Sequence, residues 1–206
     1  MEQKKLLIIG AGGHGRVVAD IAARTGVYGQ IAFLDDVPPQ LPSEYTWLGT
    51  TEQAEQFLDR YSVIVAIGNG KIRRRIMERL EVVGARFATV IAPEAVIGSH
   101  VQIMPGTVVM PAVVVNTGTV IGKGVILNTA CTVDHDCNVA NYAHISVGAH
   151  LCGVVSIGEN TWVGAGAVVS NNLSVCPDCM IGAGAAVVTN TEQPGTYVGV
   201  PAKRKV

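Results

Sequence analysis

Asp134-His135-Asp136 places an imidazole between two carboxylates, with His144 nine residues further on and His150 six beyond that. Imidazole changes charge near neutral pH, so a histidine free of the core can take a proton from an attacking nucleophile. A carboxylate bonded to its other ring nitrogen fixes the tautomer and raises its basicity, and Asp136 is the candidate for that role. His135 with Asp136 therefore fits a general base. A surface histidine flanked by solvated acids fits the same residues, as does a zinc site made by His135, His144 and a carboxylate. No nucleophile motif supports a serine-centred triad.

A second kind of chemistry is written near the amino terminus. Gly10-Ala11-Gly12-Gly13-His14-Gly15 follows an apolar strand and opens a helix, the context that the phosphate-binding Gly-x-Gly-x-x-Gly pattern requires. Glycines let backbone amides approach a phosphate, and the helix start adds partial positive charge. Asp35, 25 residues beyond Gly10, ends the next strand, where an acid commonly meets a ribose. Gly68-Asn69-Gly70 closes a third strand and would line the same crevice. About ninety residues make only half of a two-part dinucleotide fold, so a single nucleotide or nucleotide-sugar is expected rather than a nicotinamide cofactor. A tight turn with no ligand is the alternative.

These residues must be held by two different kinds of element. From Ile97 to Val187 every sixth residue is Ile, Val or Leu, sixteen in succession. Small residues such as Cys131, Cys137, Ala143, Ala149, Thr161, Ala167 and Ala185 recur four places after these stops. A unit of six holds a short strand and a turn, and successive units wind into a coil with parallel sheets as its walls. Three walls use eighteen residues per coil, giving about five coils and a prism ~24 Å tall. Gly98, Gly122, Gly158, Gly164 and Gly182 directly follow stops and are expected where the chain bends. An antiparallel sandwich would place its turns every 8–12 residues without a fixed period. None of the histidines occupies a stop, so their side chains are expected to leave the core.

Residues 1–92 alternate strand and helix, which implies a parallel sheet covered by helices. Strands are expected at Leu6–Ile9, Gln30–Leu34, Val63–Ile67 and Phe87–Ile91, and helices at Arg16–Arg24, Glu52–Arg60 and Ile72–Val83. Pro38, Pro39 and Pro42 mark a loop. Arg73, Arg74, Arg75 and Arg79 alternate with Glu78 and Glu81, which suits a solvated helix face better than a nucleic-acid patch. The fold class is thus an α/β half-Rossmann-like unit over residues 1–92, followed by an all-β parallel helix over 93–206.

A net charge of −1 gives no general attraction to nucleic acid or anionic membrane. No apolar run approaches the roughly 18 residues that span a bilayer, so no membrane insertion is expected. The charged start Met1–Lys5 leads into an apolar run that Gly10 ends too early for a signal peptide, and the cytoplasm is the expected location. Five cysteines are an odd number, against a disulfide framework. Cys176 and Cys179 have the spacing of a zinc or redox pair, but the repeat accounts for both positions, and no metal is expected.

The hexapeptide repeat, closed by Gly-Val-Pro-Ala-Lys at 199–203, resembles the left-handed β-helix acyltransferases. More narrowly, the chain resembles bacterial sugar O- and N-acetyltransferases of the sialic-acid and bacillosamine pathways, above all the UDP-4-amino-sugar N-acetyltransferases that make UDP-N,N′-diacetylbacillosamine. The marks are the glycine loop at 10–15, Phe-Leu-Asp-Asp at 33–36, Ala-Ile-Gly-Asn at 66–69, Gly-Val-Ile-Leu-Asn at 124–128, the Asp-His-Asp trio and His-Ile-Ser-Val-Gly-Ala at 144–149. Left-handed winding is implied by this resemblance alone.

The resemblance further implies a homotrimer of parallel prisms with active sites in the clefts between neighbours, and acetyl-CoA as co-substrate. The family's catalytic base maps to His135 and its supporting acid to Asp136, which is Glu in the nearest relatives. His144 matches a residue that contacts acetyl-CoA, Gly153 the amide facing the thioester oxygen, and Ala165 and Ala183 positions along the pantetheine and nucleotide. Gly12, Gly13, His14, Asp35, Asp36 and Gly68 match contacts to the UDP-sugar. The implied reaction is direct attack of the sugar's 4-amino group on the thioester, with His135 removing the proton and no acyl-enzyme. O-acetylation of sialic acid or another sugar is the nearest enzymatic alternative, and a non-catalytic nucleotide-sugar-binding scaffold is the alternative of another class.

Overall fold

The computed structural model describes residues 4–205; Met1–Gln3 of the charged start, and Val206, lie outside the described residues. The amino-terminal sheet is wholly parallel, with β1 (Lys4–Ile9) and β2 (Tyr28–Leu34) at its centre, β3 (Thr46–Gly49) beside β2, and β4 (Ser62–Val65) beside β1. Helices α1 (Gly13–Arg24) and α2 (Gly70–Val82) connect the strands, and Thr51–Phe57 forms a 3₁₀ helix. Leu6–Ile9, Ala32–Leu34 and Val63–Val65 are buried on both faces, as continuous apolar runs in a covered parallel sheet require. β3 was not anticipated: Thr46–Gly49 pairs at the sheet edge, where a short partly exposed strand carries no alternation to reveal it.

The expected strand at Phe87–Ile91 divides. Phe87 bridges to Val63, whereas Val90–Ile91 pairs with Val108–Val109 of the prism. The first prism strand therefore lies ahead of residue 93, and the two units share a continuous chain path at Ala88–Thr89.

Beyond it the prism has three faces. The first contains Val90–Ile91, Val108–Val109, Ile126–Leu127, His144–Ile145, Trp162–Val163 and Cys179–Ile181, extended by the tail strands Gly195–Val198 and Lys203–Arg204. The second runs from Val96–Ile97 to Ala186–Val187 and the third from Gln102–Ile103 to Ser174–Val175. Registers such as Leu127 with Ile145 and Ile145 with Val163 set one coil at eighteen residues. From Val109 to Val187 every sixth-residue stop is buried, each contributing roughly 1.5–3 kcal/mol of apolar transfer energy. Ile97 and Ile103 are only partly covered, because no coil stacks beneath the first. Such a core makes the corners rigid, which is what a side chain mounted on a corner needs.

The bends are not where the glycines after stops predicted them. Positive φ recurs three residues after every stop from Ile97 to Ile181, at Ala130, Asp136, Tyr142, Gly148, Val154 and Asn160 among others. Gly158, which follows a stop, instead lets the next coil close in: a Cβ there would collide with the backbone at Cys176 and Pro177. Glycine thus enters the corners on two grounds, a left-handed φ at some positions and close approach of the next coil at others.

Candidate active site

His135 and Asp136 occupy the corner between the second and third faces, two and three residues after the stop Val133. Asp136 has φ 56°, a left-handed conformation that Asp tolerates better than most residues. From there Oδ2 lies 2.9 Å from His135 Nδ1. A carboxylate only accepts, so Nδ1 carries the proton and Nε2 keeps its lone pair. This hydrogen bond raises the imidazole pKa above its ordinary value, helped by the charges of Asp134 and Asp136. The shorter acid therefore reaches the ring. Asp134 Oδ1 accepts from the His135 backbone amide and from Asn116 Nδ2, both at 2.8 Å, which fixes the residue from beneath.

Gly153 lies one coil above, directly against the ring. A Cβ there would come within 2.5 Å of His135 Nε2, so only glycine admits this imidazole position. Its amide donates no hydrogen bond among the described residues, which leaves that N–H available to a ligand. A groove of about 320 Å³ runs from this corner across the second face, lined by Asn116, Thr132, Asp134, His150 and Cys152.

His144 is elsewhere. It leaves the prism interior, as expected of a residue off the stops, yet it is buried, because the amino-terminal unit covers the lower coils of the first face. Its ring stacks on Trp162 at 4.9 Å. Asn128 Oδ1 accepts from the Thr129 amide, which turns Nδ2 toward His144 Nε2 at 3.1 Å. Nε2 is then the acceptor, and Nδ1–H is a buried donor with no partner among the described residues. Burial, then the charges of Arg73 and His14, lower the His144 pKa to about 3. His14, with an unpartnered Nε2, is lowered to about 4 by burial and Arg73. Both rings are neutral donors or acceptors, suited to holding a ligand rather than to taking protons near pH 7.

His144 lines a cavity of about 290 Å³ together with Gly68, Asn69, Gly70, Trp162 and Met180. Asn69 caps α2 by accepting from the Ile72 amide at 3.1 Å. The Gly12 and Gly13 Cα atoms face open space, so a ligand can approach the backbone there. Asp35 Oδ2 accepts from the Ala11 amide at 2.7 Å and orders the glycine loop. Asp36 Oδ1 accepts from the Thr51 amide at 2.9 Å and borders a cavity of about 400 Å³ with Arg75 and Arg79.

Within one chain, therefore, His135, Asp136 and Gly153 meet at one corner, and His14, Gly68 and His144 gather under the first face. Ala165 and Ala183 are exposed, one coil apart, along a different corner between the first and second faces. The residues expected to act on or contact acetyl-CoA are thus distributed over different edges of the prism. Sequence reading missed Asn128 and Trp162 as partners of His144, and it missed Arg73. Arg73 is fully buried, not part of a solvated face. The signal was present: Arg73, Ile76, Met77 and Leu80 form an i, i+3, i+4, i+7 stripe on α2, and the arginine sits where a core residue belongs.

Among the described residues no cluster of three or more His, Cys, Asp or Glu side chains gathers as a metal site. The Cys176 and Cys179 sulfurs lie 3.2 Å apart as free thiols. Among the described residues no helix is long and apolar enough to cross a membrane.

Residues 5–80 match the family model described as PglD N-terminal domain. The chain is 33% identical over 173 residues to GDP-perosamine N-acetyltransferase of Escherichia coli, covering 81% of this chain and 78% of that enzyme. It is 31% identical over 109 residues to UDP-N-acetylbacillosamine N-acetyltransferase of Bacillus subtilis, a match spanning 51% of this chain and half of that protein's length. Among solved structures, the acetyltransferase domain of PglB from Neisseria gonorrhoeae, in complex with acetyl coenzyme A, is 41% identical. It superposes with a TM-score of 0.95 over 99% of this chain and all of that one. At that similarity the prism is the left-handed β-helix that the motifs implied.

Proposed function

Since the chain belongs to the hexapeptide-repeat sugar N-acetyltransferases that act on nucleotide-linked amino-sugars, we propose that it moves the acetyl group of acetyl-CoA to the 4-amino group of a UDP-amino-sugar, as in the synthesis of UDP-N,N′-diacetylbacillosamine for bacterial glycans. The carrying observation is the His135–Asp136 pair, whose free Nε2 stands beside Gly153. His135 Nε2 takes a proton from the amine as its nitrogen bonds to the thioester carbon. The carbon–sulfur bond then breaks, the proton taken by His135 passes to the departing sulfur, and coenzyme A leaves as the thiol. The Gly153 amide is the donor for the oxyanion that develops on the carbonyl. Gly12, Gly13, His14, Asp35, Asp36 and Gly68 hold the nucleotide-sugar, His144 donates Nδ1–H to acetyl-CoA, and the small side chains at Ala165 and Ala183 leave room for the pantetheine arm. We place the reaction in the cytoplasm.

Acetyl-CoA offered with a panel of UDP- and GDP-linked 4-amino-sugars and sialic acid tests the substrate. Thiol release with the UDP-4-amino-sugar is expected. Preference for the GDP-linked sugar would move the chain toward the perosamine enzymes, and turnover of sialic acid alone would overturn N-acetylation. Nucleotide-sugar binding without any thiol release would leave a scaffold.

Two edges of the prism supply the expected residues, which supports a homotrimer in which the His135 corner of one copy faces the His144 side of the next. Trimers carrying only His135→Ala or only His144→Ala chains are both expected to be impaired. Hybrid trimers made by coexpressing the two variants regain sites with both histidines intact and recover activity. Hybrids no better than either parent would confine each site to one chain.

The pH profile is expected to respond to Asp136. Its hydrogen bond raises the His135 pKa, so the wild-type rate falls on the acid side as Nε2 protonates, at a pH above that of an unassisted imidazole. In Asp136→Asn the acid limb of kcat/KM moves to lower pH, and the plateau drops because the base is weaker. An unmoved limb would show that another group titrates.

A further inference from the structure

Arg73 is fully buried and meets only backbone carbonyls. Nη1 donates to Ile67 O at 2.7 Å and Gly68 O at 3.0 Å, at the end of β4. Nη2 donates to Tyr142 O at 2.6 Å and Ala143 O at 3.4 Å, immediately before His144. Nε donates to Gly124 O at 2.6 Å, one coil below. Burying a charge is costly unless its hydrogen bonds are complete, and here all three nitrogens are engaged. Arg74–Glu159, Lys123–Glu81 and Lys71–Asp178 also pair across the interface, but as surface ion pairs that fix no chain segment in place. What Arg73 adds is geometry. A planar guanidinium fork fixes three chain segments at once, and an ammonium at one point does not reproduce it. Gly70 shows how little slack the turn has: a Cβ there would strike Asn160 Oδ1.

We propose that Arg73 is a positioning residue: it locks the Gly68–Gly70 turn to the Tyr142–Ala143 corner and so sets the shape of the cavity shared by Gly68 and His144. Its effect on catalysis rests on the assignment of that cavity to the reactants; its effect on the turn does not. The test uses full-length, assembled Arg73→Lys and Arg73→Met. Amide hydrogen exchange at Ile72 and Arg73, whose amides bond to Asn69 of the turn, and at residues 143–144 is expected to quicken in both variants, while the upper coils keep their protection. The KM for the accepted amino-sugar nucleotide is expected to rise about tenfold or more, since displacements near 1 Å at a positioned reactant have large effects. Wild-type exchange at the turn in a folded variant overturns the proposal, as does a wild-type KM with wild-type kcat. Should Arg73→Met fail to fold, Arg73→Lys, which keeps charge and stem, decides by the same two measurements. If the wild-type protein acetylates no amino-sugar nucleotide, the functional assignment fails, and exchange at the turn still decides the role of Arg73.

Discussion

His135→Ala is expected to lose about 10²–10⁴-fold in kcat, the range that general-base catalysis commonly contributes. The ring lies half exposed on a corner, and among the described residues its one hydrogen bond is to Asp136 rather than to the core. Its removal should therefore leave the melting temperature, the assembly state and nucleotide-sugar binding close to wild type. A direct-transfer mechanism also makes the loss fall on turnover, because the proton moves only as the carbon–nitrogen bond forms. Steady-state kinetics with the amino-sugar at saturating acetyl-CoA provide the check. Near-normal kcat would remove His135 from the chemistry, whatever the fate of the family assignment.

Gly153→Ala is the second large effect, and it separates position from identity. The added Cβ would lie 2.5 Å from Nε2 and 2.8 Å from Cε1 of an unchanged His135, closer than real contacts allow. Gly153 has no positive φ, so alanine does not strain the backbone. The exposed imidazole can swing away at small cost to stability, but it then leaves Asp136 Oδ2 and its place over the coil. Activity is expected to fall about 10²-fold, comparable with a 1 Å misplacement of a reacting group, with a melting temperature near wild type. Full activity would mean that the ring works from another rotamer; a collapse in stability would mean that Gly153 serves the fold first.

The meeting of His135 and Asp136 at one corner was legible because the hexapeptide period dictates direction. His135 stands two places after a stop and points outward, and Asp136 stands beside it at the position that turns the chain. That Asp136 reaches Nδ1 follows from its left-handed φ, which sequence spacing alone does not give. His144 was legible as a candidate but not as a buried neutral ring. Its burial depends on the amino-terminal unit lying against the first face, and its tautomer on Asn128 from the coil beneath. Arg73 was misread because charge outweighed position: the α2 stripe required a buried side chain there, and the guanidinium satisfied the burial by finding carbonyls on three segments. The glycines after stops were misassigned for a related reason, since close coil-to-coil approach and a left-handed bend both select glycine.

The most direct measurement is the structure of the protein with coenzyme A and a UDP-linked 4-amino-sugar bound together. The sugar's 4-amino nitrogen is expected within about 2.6–3.2 Å of a His135 Nε2, or one water away, with the coenzyme sulfur on the far side of that nitrogen near Gly153. An amine held away from every His135 in the assembly, with another side chain of the protein at hydrogen-bond distance instead, would contradict proton removal by this imidazole.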